Sequence, residues 1–229
     1  LLQEGQPADF IVVNNLSELK VEETYINGIR VAEKGKTKLP YLPAESPNKF
    51  DTQPKQSADF TVKATTNQLK VIEALEGQLI TNALTYEVLT DQNGNAISNT
   101  GNDVLKLAVV NRYQNTAPAV AFIKNFGLKR GAIASSVAHD SHNIIAVGVS
   151  DEDLCQAINL LIEAKGGLSV ADTGNRIAQV LPLPLAGIMT TQNGYEVAQQ
   201  YTEIDRLVKQ LGTTLYAPYM TLSFMALLV

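Results

Sequence analysis

Residues 131–149 read GAIASSVAHDSHNIIAVGV, in which a polar turn separates two apolar stretches. Small and β-branched residues fill both stretches, so the sequence predicts two buried strands, over 131–137 and 143–149. The turn between them contains both histidines of the chain, His139 and His142. This pattern predicts a sheet that carries a polar turn at one end.

Patterns on either side of this stretch predict a mixture of helices and strands. Ser150 followed by acidic residues predicts the start of a helix over 150–164, which should end before Gly166. An apolar stripe predicts a second helix over 195–211. Residues 119–127 fit either a strand or a helix, because a short apolar run does not distinguish the two. Further strands are predicted over 8–13, 20–26, 30–33, 70–73, 79–81 and 104–110. We therefore expect the α+β class.

Composition divides the chain into three segments. Residues 1–40 are predicted to form a small β unit, in which Asn27-Gly28 is a strong hairpin signal. Residues 41–65 are polar and rich in proline, which predicts a linker. Residues 66–229 are predicted to form a mixed α/β domain.

The overall composition restricts the partners that we expect. The 229 residues carry a formal charge of −5, with 45% apolar and 18% charged residues, and no basic stripe, which argues against nucleic-acid binding. The single cysteine, Cys155, excludes an internal disulfide and fits a buried thiol in a reducing cytoplasm. No apolar run is long enough to span a membrane, so we expect no membrane partner. The start at Leu1 and the apolar end at Val229 lead us to expect a fragment of a longer protein.

The turn between the two strands holds the residues best suited to chemistry: His139, Asp140, His142 and Asn143. Imidazole transfers protons near neutral pH and is the commonest metal ligand, and a neighbouring carboxylate orients it. Three hypotheses follow. The turn assists catalysis, or its histidines are structural in a non-catalytic assembly or regulatory module, or the chain is a self-contained metal-binding domain. Small residues before the turn should let a second surface come close: Ala132, Ala134, Ser135, Ser136 and Ala138.

A second polar stretch, Asn111-Arg112-Tyr113, follows the predicted core strand over 104–110. Arg112 is predicted either to face a partner surface or to lie in solvent at the end of the strand. Both interpretations place its charge outside the core.

Four stretches closely resemble the C-terminal domain of bacterial adenine deaminases, which belong to the amidohydrolase superfamily. They are VVNRY (109–113), GLKRGAIASSVAHDSHN (127–143), LPLPLAG (181–187) and APYMTLSF (217–224). The resemblance extends over essentially the whole chain. Residues 5–13 and 25–28 resemble the returning strands of the β-sandwich that flanks the amidohydrolase barrel, so the first unit is identified as a remnant of that sandwich.

The resemblance implies a reaction, a cofactor and partners. Adenine and water give hypoxanthine and ammonia, and a divalent metal, manganese or iron, activates the water. The metal ligands of that family lie on the barrel, so the partners implied are adenine and the missing barrel, and the chain alone is expected to be inactive. The family implies purine salvage in the cytoplasm. The resemblance does not decide whether the protein is a homo-oligomer. We expect His139, Asp140, His142 and Asn143 to line the mouth of the barrel and assist catalysis.

Overall fold

The computed structural model describes residues 3–42, 45 and 47–227, and the chain forms two compact units, residues 1–44 and 45–229. The larger unit combines helices with a mixed sheet, which confirms the α+β class.

The first unit is a four-stranded antiparallel sheet in the order β1–β2–β3–β4. Its strands are β1 (Phe10–Val13), β2 (Val21–Ile26), β3 (Ile29–Glu33) and β4 (Lys36–Thr37). Asn27 and Gly28 have φ values of +51° and +75°, and they join β2 to β3 in the predicted hairpin. The part of this unit that the structure describes contains one sheet, so its identification as a sandwich remnant stays a prediction.

Within the described residues, the second unit is built on one eight-stranded sheet and a two-stranded ribbon. The strands are β5 (Val62–Lys63), β6 (Gln68–Ala74), β7 (Thr81–Glu87), β8 (Asn95–Ala96), β9 (Val104–Val110), β10 (Ala119–Lys124), β11 (Ala132–Ser135), β12 (Ile144–Gly148), β13 (Gly167–Asp172) and β14 (Ile177–Pro182). The large sheet has the order β14–β13–β11–β12–β9–β10–β6–β7, and β5 pairs with β8. Only β10 and β6 run parallel among the described pairs.

The segment that the sequence left open between helix and strand is a strand. Residues 119–124 pair with β9 along the whole of β10, from Ala119 opposite Val109 to Lys124 opposite Val104. This ladder supplies hydrogen-bond partners to the backbone of β10 along the edge that faces β9, so the pairing partner decides what the short apolar run could not.

Helices cover both faces of the large sheet. They are α1 (Asp151–Ala164), α2 (Gly194–Gln210) and α3 (Pro218–Phe224). The Ser150 side chain caps α1 by accepting a hydrogen bond from the Asp153 backbone N–H, as its position predicts. Alternate strand residues point to opposite faces, so α1 packs on one apolar layer and α2 and α3 on the other.

Of the segment 41–65, which the sequence predicts as a linker, residues 45 and 47–65 belong to the second compact unit. Phe50 and Phe60 are buried in the apolar layer beneath α1. The Asn48 side-chain amide donates to the carbonyls of Lys165 and Pro184, at 2.7 and 2.9 Å. Aromatic anchors and hydrogen bonds to backbone therefore hold a stretch whose prolines and polar residues are typical of a free segment.

Candidate functional site

The turn that links β11 to β12 lies at one end of the eight-stranded sheet. Ser135 pairs with Ile145 across this hairpin, and Ile144 pairs with Val110 at the end of β9. Because these strands are antiparallel, the residues that follow β9 come to lie beside the turn. The candidate site therefore combines the β11–β12 turn with Asn111–Tyr113.

The small residues before the turn are closed inside the chain and are not open to another surface. All five of them are fully buried: Ala132, Ala134, Ser135, Ser136 and Ala138. The Ser136 hydroxyl donates to the Gly187 carbonyl at 2.5 Å, and the Gly167 backbone N–H donates to Ser136 Oγ at 2.8 Å. The surface that comes close is thus the protein's own, and these residues anchor the base of the turn.

His139 is exposed and lies against α3. Its backbone N–H donates to the Ser223 carbonyl at 3.1 Å, and its ring stacks on Phe224 with 5.0 Å between ring centroids. The imidazole lines a cavity of about 150 Å³, together with Tyr201 and Tyr219. Typical ligand pockets have about 300–1,000 Å³, so this cavity is small for a ligand of its own.

The two tyrosines of this cavity are held in their neutral form. Burial raises the pKa of Tyr201, and it raises the pKa of Tyr219 well above its ordinary value. The Tyr219 hydroxyl donates to the Ser169 carbonyl at 2.8 Å. Neither phenol is therefore suited to act as a base, and His139 is the proton-transfer candidate among the described residues that line the cavity.

Asp140, His142 and Asn143 form the other part of the turn. Asp140 Oδ2 accepts hydrogen bonds from the Ser141 hydroxyl at 3.2 Å and from Asn143 Nδ2 at 3.3 Å. Asn143 Nδ2 also donates to Ser141 Oγ at 2.9 Å. His142 has a φ of +57°, a left-handed conformation that tightens the turn. The structure thus brings these three predicted residues together and places His139 against a different element.

Two buried polar atoms of this turn have no hydrogen-bond partner in the described part of the chain: Asp140 Oδ1 and His142 Nδ1. Buried polar atoms are nearly always hydrogen-bonded, so each such atom requires an explanation. The carboxylate oxygen is an acceptor, and the imidazole nitrogen donates or accepts according to its tautomer. The turn thus holds two hydrogen-bonding atoms for which the described part of the chain provides no partner.

Arg112 and Tyr113 were not predicted as part of the site, and both earlier interpretations of Arg112 are wrong. Arg112 is only 5% exposed, so it faces neither a partner nor solvent. Arg112 Nη1 donates to the Ala186 carbonyl at 2.7 Å, and Nη2 donates to the Tyr113 hydroxyl at 2.8 Å. That hydroxyl donates in turn to the Ser141 carbonyl in the turn. The available signal was an arginine two residues beyond a buried strand, where an alternating pattern places it on the inner face.

In 3–42, 45 and 47–227, no group of three or more His, Cys, Asp or Glu side chains could hold a metal ion. The self-contained metal-binding hypothesis therefore has no ligand set among those residues. None of the helices that the structure describes is long and apolar enough to cross a membrane.

Comparison with known proteins gives a consistent result. A family model described as the adenine deaminase C-terminal domain matches residues 78–229. Proteins named adenine deaminase match the chain at 49% identity in Salinibacter ruber, 48% in a Sulfurovum species and 46% in Parabacteroides distasonis. These matches cover 99–100% of this chain but only 41–42% of each relative. The chain thus spans about two fifths of the length of these curated relatives.

Proposed function

Because the chain belongs to the adenine deaminase C-terminal domain family, we propose that it is part of an enzyme that hydrolyses adenine to hypoxanthine and ammonia. The support is the name shared by relatives that match 99–100% of its length. The proposal extends to a role in purine salvage in the cytoplasm. It leaves open whether the enzyme is a homo-oligomer.

The observation that carries the assignment of a site is the pair of buried, unpartnered atoms on the β11–β12 turn, Asp140 Oδ1 and His142 Nδ1. In this proposal both atoms form hydrogen bonds with the purine, and His142 exchanges a proton with it. Asn143 orients the Asp140 carboxylate through its 3.3 Å hydrogen bond to Oδ2. His139 acts from the α3 side of the turn, where its exposed imidazole can exchange protons with substrate or solvent.

The proposal includes a metal cofactor, but it assigns no metal ligand to this chain. The divalent metal, manganese or iron, is assigned to the barrel, in the part of the relatives that this chain does not span. The described residues of the chain do not form a group that fits a metal ion, so none of them is assigned as a ligand. The contribution proposed for the chain is to bind and orient the purine and to transfer protons.

The test uses the full-length enzyme that contains this chain. His142→Ala should lower kcat/KM for adenine by about 100- to 10,000-fold, as expected for the loss of a proton-transfer group, while the melting temperature changes little. His139→Ala should also lower kcat/KM. Asn93→Ala is a matched control in an exposed turn and should leave the activity unchanged. The 229-residue chain alone should release no hypoxanthine, even with added metal.

Two results would contradict this proposal. If both histidine variants keep wild-type activity and lose stability, the turn is structural, and the alternative of a non-catalytic assembly or regulatory module gains support. If the chain alone produces hypoxanthine, the reaction does not depend on the part of the relatives that the chain lacks.

A further inference from the structure

We infer that Arg112 and Tyr113 are positioning residues, which fix the Asp140–Asn143 part of the turn in the geometry that the reaction needs. The inference rests on the function proposed above, and it adds two residues that do not themselves contact substrate. Four observations support it. Arg112 is buried, and its guanidinium donates to the Tyr113 hydroxyl. Its backbone N–H donates to Asn143 in the turn, and Gly187 leaves the space that the guanidinium occupies.

Arg112 is a buried cation whose described partners are all neutral. Its guanidinium binds the Ala186 carbonyl and the Tyr113 hydroxyl, and its Cζ lies 4.7 Å from the Tyr113 ring centroid and 5.7 Å from that of Phe50. The ion pairs found among the described residues do not include Arg112. A buried charge without an opposite charge costs stability that an apolar side chain would not. Packing alone therefore does not explain an arginine here, whereas the hydrogen bonds from its two Nη atoms do; its buried Nε has no partner among the described residues.

The hydroxyl of Tyr113 connects this arginine to the turn. A phenol has one proton, and here the oxygen accepts a hydrogen bond from Arg112 Nη2 at 2.8 Å. Its own proton then points to the Ser141 carbonyl, at the apex of the turn. Arg112 thus fixes the direction in which Tyr113 donates, and the Ser141 peptide is held from outside the turn.

Arg112 also contacts the turn directly. Its backbone N–H donates to Asn143 Oδ1 at 3.3 Å, which leaves both hydrogens of Asn143 Nδ2 for Asp140 Oδ2 and Ser141 Oγ. The Asn143 amide and the Ser141 hydroxyl therefore both donate to the same Asp140 oxygen, Oδ2. Oδ2 is bound within the turn, and Oδ1 is the oxygen without a partner.

The space for the guanidinium depends on a glycine far away in the sequence. Gly187 has a φ of +74°, and a Cβ at this position would lie 1.9 Å from Arg112 Nη1. Any other residue would displace the guanidinium as well as strain the backbone. The path from Gly187 through Arg112 and Tyr113 to Ser141 is thus closely packed from end to end.

The first experiment measures position without activity. The chain has two histidines, so selective isotope labelling of histidine gives two imidazole signals by NMR. Tyr113→Phe keeps the ring beside Arg112 and removes only the hydroxyl, so it should shift or broaden the His142 signal. The His139 signal should stay unchanged, because α3 holds that residue. Tyr216→Phe, at a tyrosine that is 85% exposed, is the matched control and should alter neither signal.

The second experiment links position to rate in the full-length enzyme. Tyr113→Phe should lower kcat for adenine by about 10- to 100-fold through misplacement of the turn, with little change in KM or melting temperature. Arg112→Lys keeps the charge but cannot form both hydrogen bonds, so it should not preserve the rate.

The outcomes separate this inference from the proposed function. An unchanged His142 signal in Tyr113→Phe overturns the positioning role. A shifted signal with wild-type kcat, in an enzyme that His142→Ala impairs, overturns its importance for the reaction. If His142→Ala is fully active, the proposed function of the turn fails, while the NMR result still decides whether Tyr113 positions it.

Discussion

Lys106 on β9 and Arg112 just beyond it are both buried, with 2% and 5% of their surface exposed, but only Lys106 pairs with a carboxylate. Lys106 Nζ pairs with the Asp151 carboxylate at the start of α1 and donates to the Phe60 carbonyl at 3.1 Å. Arg112 binds a backbone carbonyl and a tyrosine hydroxyl. The first cation thus joins a strand to a helix, and the second joins a strand to the candidate site.

The difference indicates what each cation contributes. In a buried ion pair each charge depends on the other, so the loss of one partner should appear in unfolding experiments. A cation with neutral partners adds less to stability than its burial suggests, because no opposite charge compensates its desolvation. Its contribution is geometric, so its loss should appear chiefly in the position of the turn.

Asp151→Ala should have the largest effect on stability. It leaves the Lys106 ammonium buried without its carboxylate, and removal of one partner of a buried pair typically costs about 3–5 kcal/mol. Thermal or urea unfolding of the chain measures this loss. The double variant Lys106→Met with Asp151→Leu removes both charges and should recover most of the stability. If Asp151→Ala is as stable as the parent protein, the buried Lys106 ammonium does not depend on the Asp151 carboxylate.

Arg112→Met should have a smaller effect on the same measurement. It removes a cation that has no carboxylate partner, so no charge is left unpaired. The Ala186 carbonyl loses a donor, and leaving a buried polar group unsatisfied costs about 1–3 kcal/mol. If Arg112→Met loses as much free energy of unfolding as Asp151→Ala, Arg112 contributes to stability as Lys106 does, and the contrast between the two cations is wrong.

The sequence predicts those elements of the fold whose signals are local. The helix predicted over 150–164 is observed at Asp151–Ala164, because its start depends on the neighbouring Ser150 and the first acidic turn. The β11–β12 turn and its strands are predicted for the same reason, since their signals are local. These elements carry their own periodicity and end signals.

The packing of residues 47–60 and the hydrogen-bond partners of Arg112 could not be predicted in this way, because they come from distant parts of the chain. Lys106 reaches Phe60 across 46 positions, and Arg112 reaches Ala186 across 74. The backbone N–H groups of Asp51 and Thr52 both donate to the Arg112 carbonyl. The composition of such a stretch reflects its prolines and charges but not its contacts with a sheet that is formed elsewhere in the chain.

The smallest effect on stability is expected for an exposed ion pair of good geometry. Arg206 and Glu203 on α2 form two hydrogen bonds, at 2.7 and 3.0 Å, with side chains that are 53% and 47% exposed.

The hydrogen bond from Arg206 lowers the pKa of the Glu203 carboxyl. A lowered carboxyl pKa adds stability above the unfolded pKa, and this stability is lost as pH falls through the folded value. Glu203→Gln should therefore lower the melting temperature slightly near neutral pH and not at all in acid, and added salt should reduce even the neutral difference. Melting curves at both pH values, recorded beside Asp151→Ala, provide the measurement. If the exposed pair proves as important as the buried one, burial is not what distinguishes Lys106 from the surface cations, and the contrast with Arg112 would have to be explained by geometry alone.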